Sequence, residues 1–153
     1  MLVIMFSALD QLSKYWVEKS LPFQQQVGFI PFLSWFRTYN GGIAFSFFSG
    51  FSSWVLIAAT VTIIIFVLWL WKQSSRTQVF TRFGYALVIG GAIGNLIDRI
   101  ALGYVIDFVQ FHTSSWSFAI FNVADSFITV GAAIIIFDEL YGGRQSASGK
   151  IPN

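Results

Sequence analysis

The chain has 153 residues, 56% of them hydrophobic and only 10% charged, where a soluble domain carries roughly 25% charged residues. A formal charge of +2 with no basic cluster argues against nucleic acid as a partner. The absence of cysteine removes disulfides, thiol nucleophiles and iron–sulfur clusters, and a single histidine, His112, excludes a zinc site built on paired histidines.

A bilayer core is spanned by about 20 mostly apolar helical residues. Four stretches approach this, which predicts an all-α membrane bundle of four transmembrane helices. The first, about 1–17, has no basic region before it and no small-residue cleavage site after it, so it reads as a retained helix. It is interrupted by Asp10 and Lys14, four apart with the acid first, the favourable order for an ion pair. That pair is either a self-neutralising device for insertion or a strut beneath a site.

The segment 18–52 is too long for a simple turn. Its aromatic and β-branched residues, followed by Asn40-Gly41, predict strands with a tight hairpin turn at that dipeptide. A small, partly amphipathic β platform on the outer membrane surface is expected here. The second helix, about 54–71, is WVLIAATVTIIIFVLWLW, without a charge, and reads as scaffold. The third, about 83–100, contains Gly90 and Gly94, a small-xxx-small spacing that lets another helix approach closely. Asn95, Asp98 and Arg99 share one face near its end. Asp98 is expected to pair with Arg99 or to accept from Asn95, in a polar network that either closes the helix or takes part in chemistry. After an outward segment, 101–122, the fourth helix runs from about 123 to 140, and a flexible tail, 141–153, follows.

Basic residues orient these elements. Lys72, Arg76, Arg82, Arg144 and Lys150 fall on one side, while 101–122 holds no Lys or Arg. Both termini are therefore expected in the cytoplasm, with 18–52 and 101–122 facing outward.

Ionisable groups in membrane helices cost roughly 2.5–3.5 kcal/mol each on insertion scales. Here they gather toward the outward ends of the first, third and fourth helices. Asp107 lies between apolar neighbours, a setting that raises a carboxyl pKa; it is either a loop or cap residue or an acid in a site. Asn122 reads as an N-cap with Asp125 at the third helical position, where an acid complements the helix dipole. The same placement would present Asp125 to a second acid at the outer interface. Two carboxylates sharing a proton split their pKa values, so that one serves as base and the other as acid. The 17 residues between Asp107 and Asp125 allow such a meeting. No G-x-S-x-G, H-E-x-x-H, D-T/S-G or G-x-G-D sequence is present. A peptidase here would be aspartyl, of another design.

Five blocks then carry a resemblance. Asp10-Gln-Leu-Ser-Lys14, Tyr39-Asn-Gly-Gly-Ile-Ala-Phe-Ser46, Gly90-Gly-Ala-Ile-Gly-Asn-Leu-Ile-Asp-Arg99, Val105-Ile-Asp-Phe108 and Phe121-Asn-Val-Ala-Asp125 occur in order over nearly the whole chain. Together they resemble the lipoprotein signal peptidases (signal peptidase II) of bacteria. The V-V-D-F block of that family reads Val-Ile-Asp-Phe here, and only nine residues precede Asp10, fewer than members usually show. The resemblance implies an inner-membrane aspartyl endopeptidase. It would remove signal peptides from diacylglyceryl-modified prolipoproteins by cleaving before the lipidated cysteine. Asp107 and Asp125 would be the catalytic acids. Asn40, Asn95, Asp98, Arg99 and Asn122 would support the site or hold substrate, and Asp10 and Lys14 would be structural. It further implies no metal or organic cofactor, inhibition by the peptide antibiotic globomycin, and a monomer in contact with membrane lipid. A small ion- or proton-coupled transporter is the rival reading, since intramembrane acids also mark ion paths; a non-catalytic membrane scaffold is a third.

Overall fold

The computed structural model describes residues 1–42, 53–113 and 116–147. In chain order these form α1 (Leu2–Ser20), β1 (Gln26–Ile30), β2 (Leu33–Asn40), α2 (Ser53–Gln73), α3 (Val79–Ala101), β3 (Val105–His112), β4 (Ser117–Phe121) and α4 (Val123–Ala147). Four helices and one antiparallel sheet, ordered β1-β2-β3-β4, make up the fold.

Helix α3 is the central element because its glycines open two of its faces. A Cβ on Gly90 would lie 2.6 Å from Phe6 Cβ of α1, and one on Gly94 would strike the Asp10 carboxylate. On another face, a Cβ on Gly84 would lie 2.8 Å from the Gly131 carbonyl of α4, and one on Gly91 would strike the Ala124 carbonyl. The small residues thus let α1 and α4 both reach the α3 backbone, as small-residue helix packing requires. Phe6, Ala86 and Leu87 form the core of this contact, with Phe6 edge-on to Phe83. The N-terminal turn of α3 is tied to α4, where Asp138 accepts from both the backbone N–H and the hydroxyl of the fully buried Thr81.

Helix α2 has no buried residue. Ile63, Ile65, Phe66, Leu68 and Trp69 are all more than about 45% exposed, a contiguous apolar surface that water would not tolerate. Helices α2 and α3 are long and apolar enough to cross a membrane. Of the four expected spans, α1 carries Asp10, Lys14, Glu18 and Lys19, and α4 carries Asp125, Asp138, Glu139 and Arg144.

The boundaries differ from the sequence expectation at several points. The connection between α2 and α3 shrinks to residues 74–78, because Lys72 and Arg82 sit on the helices themselves; long basic side chains extend from a helix end toward water. Helix α4 stays helical to Ala147, into the stretch expected to be tail, and 148–153 lie outside the described residues.

The sheet departs further. The hairpin turn is not at Asn40-Gly41 but at Pro31-Phe32, between Ile30 and Leu33. Proline presets the first turn position and Phe32 adopts φ 78 in the second, the geometry of a type II turn. Asn40 instead ends β2, opposite Val105 of β3, and the rest of the Asn40 sequence block, from Ile43 to Ser46, lies outside the described residues. The segment 101–122, expected to be an outward connection, supplies two strands to the same sheet. Its run Val105-Ile-Asp-Phe-Val-Gln-Phe-His112 has the β-branched and aromatic content of a strand. The first four residues of β3 are buried, and Val17 of α1 packs with Ile106 and Phe108 in a second core cluster. The sheet is thereby anchored on the helices where Asp107 emerges.

Candidate active site

Three elements converge near the end of α3. Strand β3 leaves that helix and carries Asp107, and β4 returns the chain to the start of α4, which carries Asp125. Asn122 caps α4: its Oδ1 accepts the Asp125 backbone N–H at 2.9 Å, and its own backbone N–H donates to Asp125 Oδ2 at 3.2 Å. This reciprocal capping box is the local reason that Asp125 has a fixed position.

The same asparagine reaches the other acid. Asn122 Nδ2 donates to Asp107 Oδ1 at 2.7 Å. Both carboxylates are therefore one hydrogen bond from a single, fully buried residue. Asn95 of α3 donates from Nδ2 to Asp125 Oδ1 at 2.8 Å, and its Oδ1 accepts from Asn122 at 3.1 Å. Asn40, at the end of β2, donates to Asp107 Oδ2 at 2.9 Å. The structure thus brings together Asp107, Asp125, Asn40, Asn95 and Asn122.

Asp107 is buried, whereas Asp125 is half-buried. Burial pushes the Asp107 carboxyl up to about 6; the nearby Asp125 charge also raises it, while the donors of Asn40 and Asn122 hold it down. Asn40→Ala removes a donor that favours the ionised form, so the Asp107 value is expected to move to higher pH. A hydrogen bond to a charge is worth about 1.5–3 kcal/mol and one pH unit about 1.4 kcal/mol, so the shift should be about one unit or more. The pH profile of kcat/KM for the variant and wild type measures it. A transition that stays at the same pH would remove Asn40 from this role.

Beneath the acids lies a second layer of charge. Lys14 Nζ contacts Asp10 Oδ2 at 2.8 Å, Asp98 Oδ2 at 2.7 Å and Asn95 Oδ1 at 2.9 Å. Its three donors have three acceptors, the full capacity of an ammonium. All four residues are buried. Asp10 also accepts from the Ala124 backbone N–H at 2.9 Å, so α1 satisfies one of the free amides at the start of α4.

The expected Asp10–Lys14 pair is present, but Lys14 is shared. Asp98 pairs with neither Arg99 nor the Asn95 side chain. It takes Lys14, Gln11 Nε2 at 2.8 Å and the Ile106 backbone N–H at 3.3 Å. The reason is geometric, since α1 packs against the glycine face of α3 and brings Lys14 to Asp98. Arg99 donates to the Asn95 carbonyl at 3.4 Å and lies close enough to Asp125, Asp107 and Asp98 to feel their charges. Its Nε is buried without a hydrogen-bond partner among the described residues.

Sequence reasoning passed over Gln11, which also donates to the Gly94 carbonyl at 3.1 Å, and Ser7, whose hydroxyl donates to the Gly90 carbonyl at 2.9 Å. Ser7, Asp10, Gln11 and Lys14 fall at helical spacing on one face, and that polar stripe was the available signal. Among the described residues, no group of three or more His, Asp or Glu side chains is placed to hold a metal ion.

The chain is similar to known proteins over most of its length. The family described as signal peptidase (SPase) II matches residues 2–141. A lipoprotein signal peptidase of Mesorhizobium japonicum is 53% identical over 152 residues, covering 99% of this chain and 90% of that protein. One from Sinorhizobium fredii is 51% identical over 142 residues, covering 93% and 86%. One from Brucella ovis is 52% identical over 143 residues, covering 94% and 89%. Two solved bacterial membrane enzymes share the fold. One has a TM-score of 0.82 at 26% identity, covering 99% of this chain and 91% of that one. The other has a TM-score of 0.81 at 29% identity, covering 92% and 90%. The chain belongs to the signal peptidase II family.

Proposed function

We propose that Asp107 and Asp125 are the catalytic pair with which this membrane enzyme cleaves prolipoproteins. The protein is an aspartic peptidase that removes signal peptides from prolipoproteins, as its relatives are named for doing. One observation carries the assignment of the acids: each accepts a hydrogen bond from Asn122.

The chemistry follows from unequal surroundings. One carboxylate, ionised, takes a proton from water as that water attacks the scissile carbonyl. The other, protonated, gives its proton to the departing amide nitrogen as the C–N bond breaks. The raised pKa of Asp107 lets the pair keep a proton to higher pH than a free carboxyl would. Asn40, Asn95 and Asn122 hold the carboxylates in place, and Arg99 lies beside the negative charge. Asp98, Asp10 and Lys14 stand behind Asn95 and fix its amide.

The substrate is a diacylated prolipoprotein, whose acyl chains and apolar signal helix hold its scissile bond near the bilayer surface. All four helices cross the inner membrane in this reading, with both termini in the cytoplasm and the sheet and acids near the outer face. The exposed Phe29, Ile30 and Phe32 around the β1–β2 turn suit contact with the lipid surface. The enzyme acts as a monomer, and globomycin competes for the acids.

The test is a cleavage assay in detergent or liposomes with one precursor in two forms, diacylated and unmodified. The diacylated form alone is expected to lose its signal peptide. Equal cleavage of both would separate the acids from any lipid-dependent specificity, and no cleavage of either would sink the reading. The transporter alternative predicts ion flux in the same liposomes, and none is expected; its support was the intramembrane charges, which the Lys14 network and the acid pair absorb.

A further inference from the structure

At the opposite end of α3 from the acids, a cavity of about 410 Å3 is lined by Leu68, Trp71, Lys72, Ser74, Arg76 and Arg82. It lies where α2 ends and α3 begins. Arg82 and Asp98 are sixteen positions apart on α3, about 24 Å at 1.5 Å per residue, so the cavity lies well along the helix from the buried charge network.

The structure assigns this cavity as a binding site for the phosphodiester of an anionic phospholipid. Two observations converge. Three cations line it and no acid does; among the described residues the only ion pairs are those of Lys14, so Lys72, Arg76 and Arg82 are not neutralised by a carboxylate. Arg82 is also preorganised. Its Nη1 donates to the Ser74 carbonyl and hydroxyl, both at 3.4 Å, and its guanidinium lies 5.7 Å from the centre of the Trp71 ring.

Orientation in a membrane asks only that basic residues lie on one side of the bilayer. It does not ask three of them to line one cavity with no acid among them. The depth of the cavity selects the source of the phosphate. Helices α2 and α3 are the two long and apolar enough to cross a membrane, and both end at its rim. Helix α2 has 21 residues, a rise of about 31 Å, which matches the hydrocarbon thickness and sets its end at headgroup level. Leu68 in the wall and Trp69 on the exposed face of α2 continue the surface along which acyl chains would lie. Basic pockets at helix ends are suited to anionic headgroups on these terms.

The experiment follows thermal unfolding of the full chain in detergent during titration with dihexanoyl phosphatidylglycerol, dihexanoyl phosphatidylcholine or inorganic phosphate. Wild type is compared with a Lys72→Gln, Arg76→Gln double variant. Both positions are exposed, so the ligand-free unfolding temperature should not move; were it to fall, Arg76→Gln alone serves as the comparison. Phosphatidylglycerol is expected to stabilise the wild type, and the double variant to bind it roughly thirty-fold more weakly. The zwitterionic lipid should leave both unchanged. Equal stabilisation of wild type and variant, or none of either, overturns the site. Full stabilisation by inorganic phosphate overturns its assignment to lipid.

Discussion

Asp107→Asn and Asp125→Asn are each expected to lower turnover by at least about 10²–10⁴-fold, the range over which positioned acid–base groups contribute. Each substitution keeps the volume of the side chain and removes the ability to exchange a proton. The effects should not add, because the pair acts as a unit; the double variant should be no slower than the worse single one. Both substitutions also strand a donor. Asn at 125 retains an oxygen for the Asn122 backbone N–H and keeps the cap, but turns its amide toward the Asn95 Nδ2 donor. Asn at 107 presents an amide where Asn40 and Asn122 both donate, so one donor loses its acceptor at a cost of about 1–3 kcal/mol. Gel-shift cleavage of a diacylated precursor, read beside unfolding temperature, separates chemistry from folding. Near-normal cleavage by either single variant would misassign the dyad and turn attention to Asp98.

Lys14→Met is the second large effect. Methionine matches the length of the side chain, but Asp10 and Asp98 then face one another buried and without their cation. Breaking a buried pair in this way costs roughly 3–5 kcal/mol, or about 6–20 °C in unfolding temperature for a chain of this size. Adding Asp98→Asn to Lys14→Met removes one of the stranded charges and should recover part of the loss. A fall of less than a few degrees in Lys14→Met would mean that water replaces the ammonium and that the network does not hold α1 to α3. Activity should fall with stability, because Asn95 loses the donor that orients its amide toward Asp125.

Much of this was legible in the sequence, for identifiable reasons. The α2 span is an unbroken apolar run, which only a membrane or a large core can bury. Asn122 and Asp125 have cap spacing, and local geometry realises it without help from elsewhere. Gly90 and Gly94 announced a close helix approach, and α1 makes it. What failed to show was set by distant contacts. Asp98 has a basic neighbour in Arg99, yet Lys14, 84 positions away, takes it, because helix packing outweighs adjacency in sequence. The Asn40-Gly41 pair is a strong hairpin signal, but Asn40 is held in a strand pairing with β3, and Pro31 makes the turn instead. Asp107 looked unpartnered because both of its donors come from other elements, Asn40 of β2 and Asn122 ahead of α4.

The i,i+4 spacing of Asp10 and Lys14 also bears on how the protein is made. If α1 crosses the membrane, as in the reading proposed above, it enters ahead of α3, which follows some sixty residues later. With its acid and base one helical turn apart, α1 is internally neutral over that stretch while it waits. Lys14 still has donors to spare, and those meet Asp98 and Asn95 only when α3 arrives. Ala124 comes last and finds the second Asp10 oxygen in place. In that reading the lysine would be a temporary counter-ion before it supports the finished site, with α3 and α4 recruited in turn onto a helix already balanced.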